Sequence, residues 1–315
     1  MYDVVALGEA LVDFTHYGEN EAGNALFERI PGGAPVNVLA TCAELGLSCA
    51  FIGKVGADAN GDFFRSAMNV RGIDVSGMSN TDDAHTTMAF VKLIKGERQL
   101  SFVRKPGADS FLTAQEVNLE MLNGSKIFHF GSVSLTDEPS RSATIRTARA
   151  AKAAGAIISY DPNYRADLWR SVEEASARMK GATFLVDIIK LSLQEMVMMT
   201  GKRVPEEAAE ILLGKGPTCV IITLGDQGAL IFTNDGNAKK APFPCNMLDP
   251  TGHGDIFFGS FLYRLAASKK PLADHNLTEL EGYVSFANAA ASISMERRGG
   301  MTSVPTLSEI YERLG

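Results

Sequence analysis

The segment Leu248-Asp249-Pro250-Thr251-Gly252-His253-Gly254-Asp255-Ile256-Phe257-Phe258-Gly259 carries the most pointed chemistry in the chain. Two glycines bracket one residue just before an apolar helix, and glycine permits both positive φ and close approach of a ligand to the backbone. Amides in a first helical turn have no intrahelical acceptor and sit at the positive end of the dipole, which suits them to phosphate. A carboxylate at Asp255 could take a proton from a hydroxyl there. The amides of Gly252, His253 and Gly254 would meanwhile hold the charge developing on a phosphoryl group. The same residues also suit a tight turn with Asp as a capping residue, and taken alone they favour that plainer role.

A second glycine pair, in Pro31-Gly32-Gly33-Ala34-Pro35-Val36-Asn37-Val38, precedes another helix. Gly32 and Gly33 allow a ligand near the backbone, and Asn37 offers a polyol both donors and an acceptor. An ordinary loop with proline in the first helical turn explains the same residues. Asp13 stands in an apolar run, Gly8-Glu9-Ala10-Leu11-Val12-Asp13-Phe14, where a carboxylate either caps a turn or binds something. A sugar with several hydroxyls would satisfy both of its oxygens.

Those groups need elements to carry them. From residue 125 onward short apolar runs at 127–130, 156–160, 184–190 and 219–224 read as strands. Stretches 138–154, 171–180 and 192–213 read as helices, the last broken near Gly201 and Pro205. Such alternation implies βαβ units and a largely parallel sheet covered on both faces. The N-terminal third differs. Strands at 3–7, 11–17 and 50–55 and helices at 35–45 and 61–71 are joined by two further runs, 87–94 and 100–104. The polar tetrapeptide Lys95-Gly96-Glu97-Arg98 between those runs is a hairpin signal. We expect a small β-lid from about residues 11–32 and 85–106 standing off the main sheet, and mostly helix at 255–267 and 277–297.

Composition narrows the class. A chain of 315 residues with 45% apolar residues can bury its own core. The net charge of −7 argues against a nucleic-acid partner, which would need a basic face. No apolar run approaches the roughly 18 residues of a membrane span. No basic N-terminal stretch leads into an apolar one, so a cytoplasmic protein without a secretory signal is expected. The four cysteines contain no C-x-x-C and read as reduced thiols, and the five histidines lack metal-ligand spacing. There is no Walker-type G-x-x-x-x-G-K-[ST], which closes the P-loop route to ATP.

Taken together these pieces resemble the ribokinase-like, or phosphofructokinase-B, family of sugar kinases, and within it the fructokinases of bacteria and plants. The matching stretches span the chain. They include both glycine motifs, Phe51-Ile52-Gly53-Lys54-Val55-Gly56, Lys105-Pro106-Gly107-Ala108-Asp109, Phe128-His129-Phe130-Gly131-Ser132 and Asp161-Pro162-Asn163-Tyr164-Arg165. The resemblance implies an α/β ribokinase-like fold and transfer of the γ-phosphoryl group of ATP to the 6-hydroxyl of D-fructose. Asp255 would be the base and the amides from Gly252 to Asp255 the anion hole. Asp13, Gly32, Gly33, Asn37 and Arg165 would contact sugar, with Phe102 and Arg104 of the lid hairpin covering it. ATP would lie along Lys190, Thr223, Gly225, Gly252, Gly254 and Asn288. Read alone, Lys190 and Asn288 pass for a solvated charge and a surface amide.

The resemblance further implies Mg²⁺ near Glu195 through water, since that ion dehydrates reluctantly. A monovalent cation, K⁺, would sit by Asp249, Thr251, Ser294, Gly299 and Ser303, and the lid sheet could pair with its twin in a homodimer. Three residues depart from the family pattern. His253 replaces a small residue and could crowd the phosphates or, if protonated, assist them. Pro250 replaces a more usual Thr, and Ser192 replaces the Asn of many relatives. Related kinases for ribose, 2-keto-3-deoxygluconate or aminoimidazole riboside remain open, as does a noncatalytic sugar-binding regulator. A dinucleotide-dependent oxidoreductase would need G-x-G-x-x-G after the first strand, where only Gly8 stands.

Overall fold

The computed structural model describes residues 1–94 and 97–315, so Lys95 and Gly96 of the expected turn lie outside the described residues. The N-terminal third holds β1 (Val4–Leu7), β2 (Leu11–Glu19), β3 (Ala25–Gly32), α1 (Ala34–Glu44), β4 (Cys49–Gly56), α2 (Ala59–Val70) and β5 (Asp74–Thr81). Next come β6 (Thr87–Ile94), β7 (Glu97–Val103), β8 (Ile127–Gly131), α3 (Ser140–Ala153), β9 (Ile157–Asp161) and α4 (Val172–Ala182). The chain continues through β10 (Ile188–Ser192), α5 (Leu193–Thr200), α6 (Pro205–Leu213), β11 (Cys219–Thr223), β12 (Ala229–Thr233) and β13 (Gly236–Lys240). It finishes with α7 (His253–Ala267), α8 (Leu277–Ser294) and α9 (Leu307–Leu314).

Nine strands form the main sheet in the order β13-β12-β11-β10-β9-β8-β1-β4-β5. It is parallel from β5 to β11, and only β12 and β13 are antiparallel additions at one edge. Strand β1 reads Val-Val-Ala-Leu with every residue buried, as expected for a strand covered on both faces. One face packs against α1, α2, α7 and α8 through residues such as Phe51, Phe64, Phe258 and Phe261. The other packs against α3 to α6 through Phe128, Phe130, Tyr160 and Met196. Helix α7 crosses α1 closely because Gly259 has no side chain: a Cβ there would lie 2.7 Å from that of Thr41.

The second sheet has the order β3-β2-β6-β7, with β2 and β6 parallel and the two outer pairs antiparallel. It carries both segments expected for the lid. Two expectations need correction. The strand read at 184–190 begins only at Ile188. Thr183–Leu185 is a short 3₁₀ turn continuing α4, and Phe184 is 65% exposed, so that apolar run is not a buried strand. The last long helix ends at Ser294, three residues early, because the backbone turns there into the loop that carries Gly299. No helix among the described residues is long and apolar enough to cross a membrane.

Candidate active site

Parallel strands gather ligands at their carboxyl ends, and here four of them do so. Glu9 lies just past β1, Asp161 ends β9, Lys190 is in the middle of β10 and Ser192 at its end, and Thr223 ends β11. Two helices point at the same region with glycine at their N-caps. Gly33 (φ 122°) precedes α1 and Gly252 (φ 72°) precedes α7, and neither helix has a capping side chain, whereas α2, α4, α5, α8 and α9 all do. A side chain at 252 would also meet the Gly300 Cα at 2.7 Å. The first amides of α7 are thus left to an anion.

Asp255 is not the cap of its own helix, so the plainer reading of Gly-x-Gly-Asp fails. It sits in the first turn, 6% exposed, and both its oxygens are held from outside. Asn37 Nδ2 donates to Oδ2 at 2.8 Å and Asn163 Nδ2 donates to Oδ1 at 2.8 Å. Asp255 lines a small cavity together with Glu9, Asp13, Gly33, Asn37, Phe102, Asn163 and Arg165. Gly32 lies beside it, since a Cβ there would come within 2.8 Å of Asp13 Oδ2.

Arg104 does not line this cavity itself but sits behind it. Its guanidinium is buried and bound to Asp109 by Nε at 2.9 Å and by Nη2 at 2.8 Å, with Nη1 donating to Thr136 Oγ1. It follows β7 rather than belonging to it, and it lines a neighbouring cavity with Trp169 and Arg170. The expected place of Arg104 on the hairpin strand is therefore corrected: it lies just beyond β7, with its guanidinium against the carbonyl of the cavity-lining Val133. A buried guanidinium keeps a carboxylate partner, and Asp109 supplies one.

A second, larger cleft opens on the other side of the same helical turn. It is lined by Ser192, Thr223, Gly225, His253, Gly254, Phe257 and Asn288, among others. Asn288 donates to the carbonyls of Lys240 and Ala241 and so fixes one wall, rather than facing solvent. His253 is exposed at this cleft, and its Nδ1 donates to the Pro250 carbonyl at 2.5 Å. That bond puts the proton of a neutral ring on Nδ1.

Lys190 is no solvated charge. It is buried, its Nζ lies 2.8 Å from Asp161 Oδ2, and a Cβ at position 254 would be 3.1 Å from that ammonium. Gly254 therefore lets the cation come up against the first turn of α7. Burial works against the Lys190 charge, but Asp161, Glu195 and Asp255 around it outweigh burial and hold the ammonium above its ordinary range. Three carboxylates to one cation leave an excess of negative charge. Burial, with Glu195 and Asp255 adding repulsion, pushes the Asp161 carboxyl up to about 7 against the pull of Lys190.

Glu195 is buried as well. Its Oε2 accepts from the Ser192 amide and hydroxyl in a capping box that starts α5, and its Oε1 accepts from the Tyr164 amide at 2.7 Å. Ser192 is thus a helix cap here. At the far side of α7, Asp249 accepts from the amides of Thr251 and Gly299, both at 2.9 Å. Thr251 Oγ1 is buried without a hydrogen-bond partner. Ser294 and Ser303 donate their hydroxyls to the Ala291 and Gly300 carbonyls. An orphaned hydroxyl beside a buried carboxylate fits a cation of low charge.

Three residues of this region escaped the reading of the sequence: Glu9, Asp161 and Asn163. Glu9 is 3% exposed, its Oε1 accepts from the Ala34 amide at 2.8 Å, and Oε2 has no partner. Burial pushes its carboxyl up to about 7. The signal that could have found all three is positional, because each lies at or just past the carboxyl end of a predicted strand.

Comparison with known proteins agrees with this geometry. Residues 1–307 match the profile of the pfkB family carbohydrate kinases. The chain is 38% identical over 314 residues to fructokinase-1 of Zea mays, spanning 98% of this chain and 96% of that one. This chain belongs to the pfkB family of carbohydrate kinases. A pfkB-family fold is equally plain in three dimensions. The fructokinase of Xylella fastidiosa with bound ATP superposes with a TM-score of 0.91 at 29% identity, over 100% of this chain and 98% of that one. The Vibrio cholerae fructokinase in a fructose, ADP and calcium ion bound form gives 0.91 at 30% identity, over 100% and 99%. As a pfkB carbohydrate kinase the chain uses one turn of α7 as the divider between its two cavities.

Proposed function

We propose that this kinase transfers the γ-phosphoryl group of ATP to the primary 6-hydroxyl of D-fructose. One observation carries the reading: His253 and Gly254 line the larger cleft, and Asp255, the very next residue, lines the smaller one. A hydroxyl in the small cavity and a terminal phosphate in the large one would meet across a single helical turn. Asp255 takes the hydroxyl proton, the oxygen attacks the γ-phosphorus, and ADP leaves. The uncapped amides of that turn and the Lys190 ammonium oppose the charge that develops on the transferring group. Phosphoryl transfer asks for positioning and electrostatics, and these residues supply both.

Bound with ATP, Mg²⁺ would neutralise phosphate charge. Glu195, whose oxygens already hold Tyr164 and Ser192, is suited to reach the ion through water. Asp249, Thr251 and the loop through Gly299 to Ser303 would hold K⁺ beneath the amides. Three carboxyl groups (Glu9, Asp13 and Asp255) and one guanidinium (Arg165) line the small cavity, which favours a neutral polyol over a sugar acid.

The test is ADP release with fructose, ribose, 2-keto-3-deoxygluconate and aminoimidazole riboside, with and without K⁺. Fructose is expected to give the highest kcat/KM and the sugar acid no turnover. A higher kcat/KM for another substrate would overturn the fructose assignment.

We also propose that two copies pair through the outer face of the small sheet. Phe14 stacks on Phe90 at 5.3 Å and Phe27 meets Phe90 edge-on at 5.6 Å, with Phe27 and Phe90 about two-fifths exposed. Light scattering should give twice the chain mass, falling to one chain in Phe90→Lys. A wild-type protein of single-chain mass would refute the pairing.

A further inference from the structure

We propose that Asn163 is a positioning residue for the base: its amide, pinned by the turn after β9, fixes the Asp255 carboxylate for proton abstraction. The inference rests on the reading of Asp255 as the base. Three observations support it. Asn163 Nδ2 donates to Asp255 Oδ1 at 2.8 Å while Asn37 donates to Oδ2, so the carboxylate is gripped at both oxygens by neutral donors from two different elements. Asn163 has φ 45°, in the left-handed region, which asparagine tolerates better than residues other than glycine. Its own amide donates to Asp161 Oδ1 at 3.2 Å, and the other oxygen of Asp161 holds Lys190.

These bonds make a chain from Asn37 through Asp255, Asn163 and Asp161 to Lys190. The grip on the base and the cation at the anion-binding turn are therefore set by one short segment, Asp161-Pro162-Asn163. A carboxylate with both oxygens held cannot rotate, so only the lone pairs left over remain for the hydroxyl proton.

The charged groups around Asp255 come from several elements. Lys190 of β10 and Asp161 of β9 act on it electrostatically, and Glu195 of α5 belongs to the same cluster. Glu9, Asp13 and Arg165 share its cavity. All of these persist when Asn163 is changed, so a shift in the pH profile on substitution reports the lost amide.

The experiment measures kcat and KM for fructose against pH, at saturating ATP, in wild type, Asn163→Gly and Asn163→Asp. Asn163→Gly keeps the left-handed backbone and removes the amide. It should lower kcat by roughly 10-fold, as expected when one charge-assisted hydrogen bond is lost. The acid limb of kcat should move to higher pH, with KM for fructose changed less than kcat. Asn163→Asp keeps the shape but sets a second carboxyl against Asp255. It should lower kcat at neutral pH by roughly 100-fold or more, with partial recovery as pH rises and both groups ionise.

A merely structural residue would change melting temperature and leave the acid limb in place. If Asn163→Gly keeps kcat within twofold with an unmoved limb, the positioning role is wrong. If Asn163→Gly does not fold, Asn163→Asp decides, and a loss of kcat that shows no recovery with pH sinks the inference. Asp255→Asn run alongside separates the two claims. An inactive Asp255→Asn beside an unaffected Asn163→Gly overturns only the positioning role, whereas an active Asp255→Asn overturns the base itself.

Discussion

Asp255→Asn should lower kcat by roughly 10²–10⁴-fold, the range that a positioned general base contributes. The substitution keeps the shape and removes the proton acceptor. It has a second consequence that follows from the local geometry. Asn37 and Asn163 each donate to one oxygen of Asp255, and an asparagine there offers one oxygen and one NH₂. With the wild-type amide orientations one of the two donors then faces another donor, and relief requires Asn37 to turn over and present its unpartnered Oδ1. Leaving a buried donor unpaired costs about 1–3 kcal/mol, so a loss of melting temperature should accompany the loss of rate. Affinity for fructose and for ATP, measured by titration calorimetry on the variant, should change much less than kcat. Retention of more than a tenth of wild-type kcat would show that Asp255 is not the base.

Lys190→Met is expected to give the largest loss of stability, roughly 3–5 kcal/mol, because it removes one partner of a buried ion pair. Lys190 and Asp161 are 6% and 1% exposed, and their charged atoms lie 2.8 Å apart. Without the ammonium, Asp161 faces Glu195 and Asp255 alone. Its carboxyl, already pushed up to about 7 by burial, would move higher still.

The sign of the pH dependence follows. A carboxyl whose folded pKa lies above its unfolded value binds more protons in the folded state. Its stabilising contribution is complete below the unfolded value of about 4 and is lost as pH rises through the folded value. For wild type that window runs from about 4 to about 7. For Lys190→Met it extends to higher pH, so the deficit should be smaller near pH 5 than near pH 8. Urea midpoints for both proteins at the two pH values test this. An equal deficit at both, or one below about 1 kcal/mol, would contradict the account. Adding Asp161→Asn should restore part of the stability, since a neutral pair avoids the lone buried charge.

Much of the fold was legible in advance. The alternation of apolar runs with amphipathic stretches located the parallel strands, because a strand buried on both faces must be apolar throughout. The hairpin signal near residues 95–98 located two neighbouring strands of the second sheet, β6 and β7. Apolar run length alone misled at Phe184, where a turn of 3₁₀ helix leaves the ring in solvent. The glycine motifs marked two helix starts that lack side-chain caps, and that is a local property. Glycine in the left-handed region, next to an apolar helix, says as much in the sequence as in three dimensions.

The partners of those motifs were not legible. Asn37 and Asp255 are 218 residues apart in sequence, and Asn163 and Asp255 are 92 apart, yet each pair makes a 2.8 Å hydrogen bond. Arg104 illustrates the same limit in reverse. Its place two residues from Phe102 suggested a sugar contact, but Arg104 lies beyond the end of β7 and its guanidinium is held by Asp109.

Sequence by itself therefore determined what is periodic or local: the α/β class, the uncapped glycine turns, and the presence of a carboxylate in the first turn of α7. Tertiary structure alone decided which groups grip that carboxylate, that Lys190 is buried against Asp161, and that one helical turn opens onto two cavities. The reason is physical. Backbone preferences and hydrophobic period act over a few residues and leave a record there, whereas a buried polar group takes whichever partner the packing of distant elements brings within reach.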